Sequence, residues 1–476
     1  MQTGPPYIPP SVFPTAPKLD KAPPRLIMAA YESPGSRRGC VARDRIFRTM
    51  TSEIAILNRH AVDLASDSAV TVTQWMDGRA QQRYFKGANK IFNISKIAPV
   101  GLMMYGAANL HGAPWELIAK TFRRLLGTHT HVHLMGYATS IFEYLRYAND
   151  LFPFDYQEEV FIAECEKAAL AFLVKVCFSD EYKNADQSVR NDIFNKSMQE
   201  TRDSSRNAGP LGDATENDVT GSLTKYSSQI IEKIESNDVL QKVFDDFDSV
   251  DVEKLAEVAV WAVYTNIFAT LDRTGLVFSG YGEKEYFPSL VSYSFFSIIL
   301  GKLLYKCDNH EEIGPRKISQ ILPFAMTDMV QTFVNGFSYN ALQEIDQKVQ
   351  EGLDHFEEKL KADSGVTSTP NETQIKHDTK EKIIDRLIDH MVESHVEPIK
   401  RVVDALPLDE MADLAETLIT VESLKERVTK PSESVGGPID VAVISKSDGF
   451  VWIKRKHYFD ASLNPRYFQR EGLTHG

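Results

Sequence analysis

The sequence predicts an α+β fold in which sheets and helices alternate as layers, and three observations carry that reading. Short β-rich runs open the patterned part of the chain just after Met50, long helical stretches fill its middle and last third, and a hairpin with an Asp-Gly turn closes it. Of 476 residues, 43% are hydrophobic and 25% charged, the balance of a globular protein rather than a collagen-like or wholly disordered one. The length allows up to about three domains. Fifty-three basic against 66 acidic side chains give a net charge of −13, which repels a phosphate backbone and sets nucleic acid aside as a partner. The four cysteines, Cys40, Cys165, Cys177 and Cys307, are far apart, which suggests neither a disulfide framework nor a cysteine zinc site and fits a reducing cytoplasm. No apolar run reaches the roughly 18 residues that cross a bilayer, so no membrane partner is expected.

Residues 1–50, with clustered prolines and a basic Gly/Ser-containing stretch, read as a disordered leader or propeptide, or as a product of start-site choice. SEIAIL, AVDLAS and SAVTV follow as strands, with a turn at Asn58-Arg59-His60. KIFNI (90–94) and VGLMMYG (100–106) add two more, and HGAPWELIAKTFRRLL (111–126) reads as a helix with Pro114 in its first turn. Mixed helices extend from about 138 to 200, the polar stretch 201–222 reads as a mobile loop, and 251–268 as an amphipathic helix. TGLVFSGYG (274–282), PSLVSYSFF (288–296) and GKLLYKC (301–307) are strand-like. Helices are expected over 319–336, 341–363, 380–406 and 411–428, then a hairpin over 436–456 turning at Ser447-Asp448-Gly449. The expected divisions are 51–137 and 256–476 as two parts of one core, with 138–255 a helical insertion.

Chemistry centres on Thr51, a small residue directly after Met50 where patterning begins. As a mature N-terminus it would offer both a hydroxyl nucleophile and an α-amine, whose ordinary pKa of about 7.7–8.0 suits a base near neutrality.

TSEIAILNRHAVDLASDSAVTV resembles the start of a proteasome β-type subunit, in the N-terminal nucleophile (Ntn) hydrolase family. In that family a nucleophilic threonine opens a strand and an aspartate follows in an A-D-S/T-x-A context; Asp67 in ASDSAV matches it. NKIFNI is similar to the family's K-[IV]-x-x-I strand, which makes Lys90 the counterpart of its lysine. GLMMYGAANLHG resembles the strand that ends in a glycine turn before the first helix, so Gly106, or Tyr105 in a register one residue away, is implied as the oxyanion donor. LAETLITVESLKERVTKPSESVGGPIDVAVISKSDGFVWIKR is similar in order to the family's helix, Gly-Gly turn and terminal hairpin. The likeness covers roughly 51–126 and 408–456, and 274–300 loosely.

That resemblance implies a four-layer αββα sandwich with helical insertions, and hydrolysis of an amide, in particular a peptide bond, in a peptide or protein substrate. It implies no cofactor or metal. It also implies a homo-oligomer of ring type, an ATPase or regulatory partner, and a cytoplasmic location. Lys90 would keep the Thr51 amine neutral, Asp67 would hold Lys90 charged, and Gly106 would stabilise the oxyanion. The chain departs from the pattern in three places. Six or seven extra residues around WMDGRAQQRYFKG lie between Asp67 and Lys90, Asn109 replaces an acid, and Ser432, Glu433 and Ser434 stand where an Asp-x-x-Ser is usual. Ser432 or Ser434 is expected to supply the missing hydroxyl and Glu433 the carboxylate.

His129, His131 and His133 would share one face of a strand, but after a helix and with no nearby carboxylate they read as a solvated connector rather than a metal site. Two rival functions stand beside the hydrolase: a catalytically inactive proteasome-like structural or interaction subunit, and an amidase or acyltransferase of the same fold acting on a small molecule.

Overall fold

The computed structural model describes residues 51–76, 79–244, 250–364, 370–429 and 436–466. The first strands are β1 (Ser52–Asn58), β2 (Ala61–Ser66), β3 (Ala69–Met76), β4 (Arg79–Lys86), β5 (Ile91–Asn93) and β6 (Val100–Gly106), followed by the two-residue β7 (Asn109–Leu110) and β8 (Ala113–Pro114). Helices α1 (Trp115–Leu126), α2 (Met135–Tyr147), α3 (Phe154–Cys177), α4 (Asp180–Lys183), α5 (Gln187–Ala208), α6 (Glu216–Glu235), α7 (Asp238–Phe244) and α8 (Val252–Thr265) come next. Strands β9 (Thr274–Gly280), β10 (Ser289–Ile299), β11 (Lys302–Glu312) and β12 (Ser319–Ala325) lead into α9 (Asp328–Asn335), α10 (Tyr339–Ser364) and α11 (Pro370–Met391). One π-helical turn, Val392–Val396, joins α11 to α12 (Glu397–Ala405), and α13 (Leu408–Thr429), β13 (Asp440–Ser445) and β14 (Gly449–Lys454) complete the order.

Ten of these strands form two five-stranded antiparallel sheets, one ordered β12-β1-β2-β13-β14 and the other β11-β10-β9-β6-β5. In β1, Ala55 and Leu57 point to one face and Ile54 and Ile56 to the other, and all four are fully buried. The first pair packs with Leu64, Met103, Val277 and Ile444, a core drawn from both sheets. The sheets approach closely there: a Cβ on Gly101 of β6 would lie 2.7 Å from Ile444 Cδ1, so a larger residue would require the Ile444 side chain to shift. The second pair packs with Val443, Met411, Ala415 and Ile419, which covers the first sheet with α13. On the second sheet, Leu102, Leu276 and Phe278 pack with Trp115 and Ile118 of α1 and Ile141 of α2. Trp115 is oriented by its indole N–H, which donates to Thr274 Oγ1 at 3.0 Å.

A separate helical core joins α3, α5, α6 and α8 through residues such as Phe161, Phe172, Phe194, Tyr226 and Trp261. Residues 258–264 of helix α8 are buried on all sides, as in a central helix. Polar ties fix this core to the second sheet: Leu303 N–H donates to Asp213 Oδ1 at 2.6 Å, and Gly301 N–H to Gln157 Oε1 at 2.8 Å.

Two expectations are corrected. Residues 319–336 are not one helix, because Ser319–Ala325 is strand β12, paired in register with β1 from Ser52↔Ala325 to Asn58↔Ser319. Pro323 is tolerated because β12 is an edge strand. The stretch 201–222 is mostly helical: α5 runs to Ala208, and α6 starts at a capping box in which Asp218 N–H donates to Thr215 Oγ1 and Thr215 N–H to Asp218 Oδ2. The extra residues before Lys90 form the ribbon β3-β4, paired from Ala69↔Lys86 to Met76↔Arg79. Ala88 N–H donates to Ser68 O at 3.2 Å and closes its base, so the ribbon leaves and returns to one place and delivers Lys90 to the second sheet.

Candidate active site around Thr51

Thr51 stands immediately before β1, with its carbonyl accepting from Met326 N–H at 3.1 Å beyond the end of β12. It is 3% exposed. The far end of β1 is fixed as well. Asn58 Oδ1 caps the reversal by accepting from His60 N–H (2.8 Å) and Ala61 N–H (3.0 Å), and Asn58 Nδ2 donates to Val403 O of α12 at 3.1 Å. Strand alternation then puts Thr51 and Glu53 on the face between the sheets, with Ala55 and Leu57.

Asp67 follows β2 directly. Its Oδ1 accepts from Ser52 N–H at 3.4 Å, its own N–H donates to Ser52 O at 3.1 Å, and its Oδ2 accepts from Gly436 N–H at 3.0 Å. Lys90, just before β5, donates through Nζ to Asp67 Oδ1 at 2.5 Å and to Glu53 Oε1 at 2.9 Å. Thr51 Oγ1 donates to Glu53 Oε2 at 3.2 Å. One buried chain of hydrogen bonds therefore runs Thr51–Glu53–Lys90–Asp67, with Glu53 1% and Lys90 6% exposed.

The electrostatics follow from that burial. Burial alone would lower the Lys90 ammonium, but the Glu53 and Asp67 carboxylates outweigh it and hold Lys90 above the ordinary lysine value, so it stays charged. Glu53 is pushed up to about 7, first by burial and also by the Asp67 charge, with Lys90 pulling the other way. Glu53 is thus a carboxylate that changes protonation near neutral pH while touching the Thr51 hydroxyl.

The structure brings together Thr51, Asp67 and Lys90 of the residues named from sequence. Gly106 ends β6 opposite Thr274, at φ +86°, and a Cβ there would lie 2.3 Å from the Arg273 carbonyl oxygen. Replacing Gly106 with Ala should therefore cost at least about 1–3 kcal/mol in backbone strain, read as a lower denaturant midpoint. Tyr105 points the other way from Met104, into the space between the sheets; its ring lies 5.6 Å from that of Phe324 and its hydroxyl accepts from Arg273 Nη2 at 3.3 Å. Ser432, Glu433 and Ser434 lie outside the described residues. Sequence reasoning missed Glu53, although its position two residues beyond Thr51 on a strand places it on the same face.

Elsewhere the candidates are weaker. His131 stacks edge-on against Tyr137 and its Nε2 bonds with Ser140 Oγ at 2.8 Å, while His133 Nδ1 lies 3.3 Å from Glu285 Oε1; the three histidines converge on no common point. Among the described residues the one His/Asp/Glu group with metal-compatible spacing is His377, Asp378 and Glu381, all exposed on α11. No helix among the described residues is long and apolar enough to cross a membrane. Comparison with known proteins finds no matching family model and no matching curated protein.

Proposed function

We propose that this chain is a threonine hydrolase of the N-terminal nucleophile type, cleaving amide and in particular peptide bonds through Thr51 once its α-amine is exposed. In this reading the two sheets and their covering helices are the αββα sandwich of that family, and α3 to α8 are an insertion beside it. The observation that carries it is the convergence of Thr51, Lys90 and Asp67, chosen from sequence, on one buried hydrogen-bonded chain. Lys90 is linked to the Thr51 hydroxyl through Glu53, and a fixed ammonium at that point of the chain offsets negative charge that develops on the oxygen. Asp67 fixes the ammonium in turn, and its bonds to Ser52 and Gly436 tie the start of β1 to the turn before β13. Thr51 Oγ attacks the scissile carbonyl, an acyl ester forms on it, and water releases the acid; the Gly106 backbone N–H is the proposed oxyanion donor. A peptide or protein substrate, a ring of identical subunits, an ATPase or regulatory partner and a cytoplasmic site of action belong to the same proposal.

Thr51→Ala should fold as the parent does and lose peptide hydrolysis by roughly 10³-fold or more, measured with a panel of fluorogenic peptides. Equal rates in parent and variant would remove Thr51 as nucleophile. One observation favours a second reading, a non-catalytic subunit: Thr51 is buried and its hydroxyl is already bonded to Glu53. In that case Thr51→Ala changes stability and no hydrolysis depends on Thr51.

A further inference from the structure

We propose that Glu53 is the general base of this site, taking the proton from the Thr51 hydroxyl directly, in place of the Thr51 α-amine. The inference rests on the hydrolase reading and deepens it. Three charged groups lie on the hydrogen-bonded chain that ends at the nucleophile, and their bonding separates their roles. Lys90 is held as a cation by two carboxylates and has no lone pair to accept a proton. Asp67 is engaged by Lys90 and by the Ser52 and Gly436 N–H groups, and bonds to the strand rather than to the hydroxyl. Glu53 alone of the three accepts from Thr51 Oγ1, at 3.2 Å, through Oε2, while its Oε1 is anchored by Lys90 at 2.9 Å. A carboxylate oriented by one oxygen and bonded to the nucleophile through the other has the geometry of a base.

The proton and electron movements close on these residues. The Thr51 Oγ–H bond breaks, its proton passes to Glu53 Oε2, and the freed oxygen pair bonds the scissile carbonyl carbon, whose π pair moves onto oxygen. Collapse restores the carbonyl and breaks the C–N bond, and Glu53 returns the proton to the leaving nitrogen. Water then attacks the ester with Glu53 taking its proton, the ester C–O bond breaks, and Thr51 Oγ recovers a proton from Glu53.

The pH dependence has a defined sign. Glu53 serves as base when ionised, so hydrolysis should rise as pH increases through about 7, where burial places its titration. The titratable groups facing it are Lys90, Asp67 and, from β6, Tyr105, whose hydroxyl takes a hydrogen bond from Arg273 with Asp308 close by; β12 contributes the apolar Phe324.

The test is the pH profile of kcat/KM for peptide hydrolysis in the parent, Glu53→Gln, Glu53→Asp and Thr51→Ala, with circular dichroism to confirm folding. Glu53→Gln should fall about 10²–10⁴-fold and lose the limb near pH 7, and Glu53→Asp should keep a displaced limb with partial activity. If Glu53→Gln keeps the parent's rate and limb while Thr51→Ala is inactive, the base is another group and the proposal is overturned with the hydrolase reading intact. An α-amine base would show in that case as a limb at about 7.7–8.0. If parent and Thr51→Ala hydrolyse alike, the reading and the proposal fall together. Should Glu53→Gln fail to fold, Glu53→Asp alone decides, because an unmoved limb in that variant also overturns the proposal.

Discussion

Lys90→Met should destabilise the protein by about 3–5 kcal/mol, seen as a large drop in denaturant midpoint at pH 7, and should abolish Thr51-dependent hydrolysis. The methionine fills a similar volume, so the loss comes from charge. Without the ammonium, Asp67 and Glu53 remain as two carboxylates in a buried site, facing each other with no cation between them. The structure can relieve this only by protonating one of them, and Glu53, already pushed up to about 7 with Lys90 present, would be driven higher still. The loss of stability should therefore be smaller at pH 5 than at pH 8. Glu53→Gln combined with Lys90→Met should recover part of the loss, since the pair is removed together.

Asp63→Val should change stability in the opposite direction, by about 1–3 kcal/mol in favour of the folded state at pH 7. Asp63 lies mid-strand in β2, opposite Ile56 on one side and Val443 on the other, on the face it shares with Ala61 and Ala65. It is fully buried and neither carboxylate oxygen has a hydrogen-bond partner. Burial holds its pKa well above the ordinary carboxylate value, so the folded state binds a proton more tightly than the unfolded chain does. The sign follows from that order: stability is complete below the unfolded pKa of about 4 and is lost as pH rises through the higher folded value. Valine removes the titration, so the variant's denaturant midpoint should exceed the parent's by a margin that widens from pH 4 to pH 8.

Asp63 also shows how far the strands were legible. The alternation in AVDLAS marks a strand, and an aspartate at its third position would ordinarily mark a solvated face. Here both faces of the sheet are covered, one by the second sheet and one by α13, and alternation alone carries no information about a second cover. The strands and helices that position the site were readable because short β-rich runs and turn residues such as Asn58 and the Asp448-Gly449 pair act locally. Strand β4 was not readable, because RAQQRYFK is polar and owes its conformation to pairing with β3. Strand β12 reads as helix from sequence because SQILPFAM runs straight into helix α9 without a turn signal, and its pairing partner β1 lies far away in the chain. The start of α6 carried a signal in Thr215-x-x-Asp218, obscured by the polar residues around it.

At the site, Asp67 and Lys90 are implied by the resemblance to proteasome β-type subunits, and the structure adds Glu53, a partner to which that resemblance does not point. Glu53 mediates between the hydroxyl and the ammonium, which makes the Thr51 environment more acidic in composition than a lysine alone would. That difference governs the expected pH response.

The most direct test of the central claim is the intact mass of the protein purified from its native host, taken before and after incubation with a β-lactone, with the modified residue located by fragmentation. The lactone is opened by a nucleophilic hydroxyl, which keeps the acyl group as an ester. The expected result is a chain that begins at Thr51 and gains one lactone equivalent on that residue. A chain that retains Met1 and carries no adduct on Thr51 would contradict it.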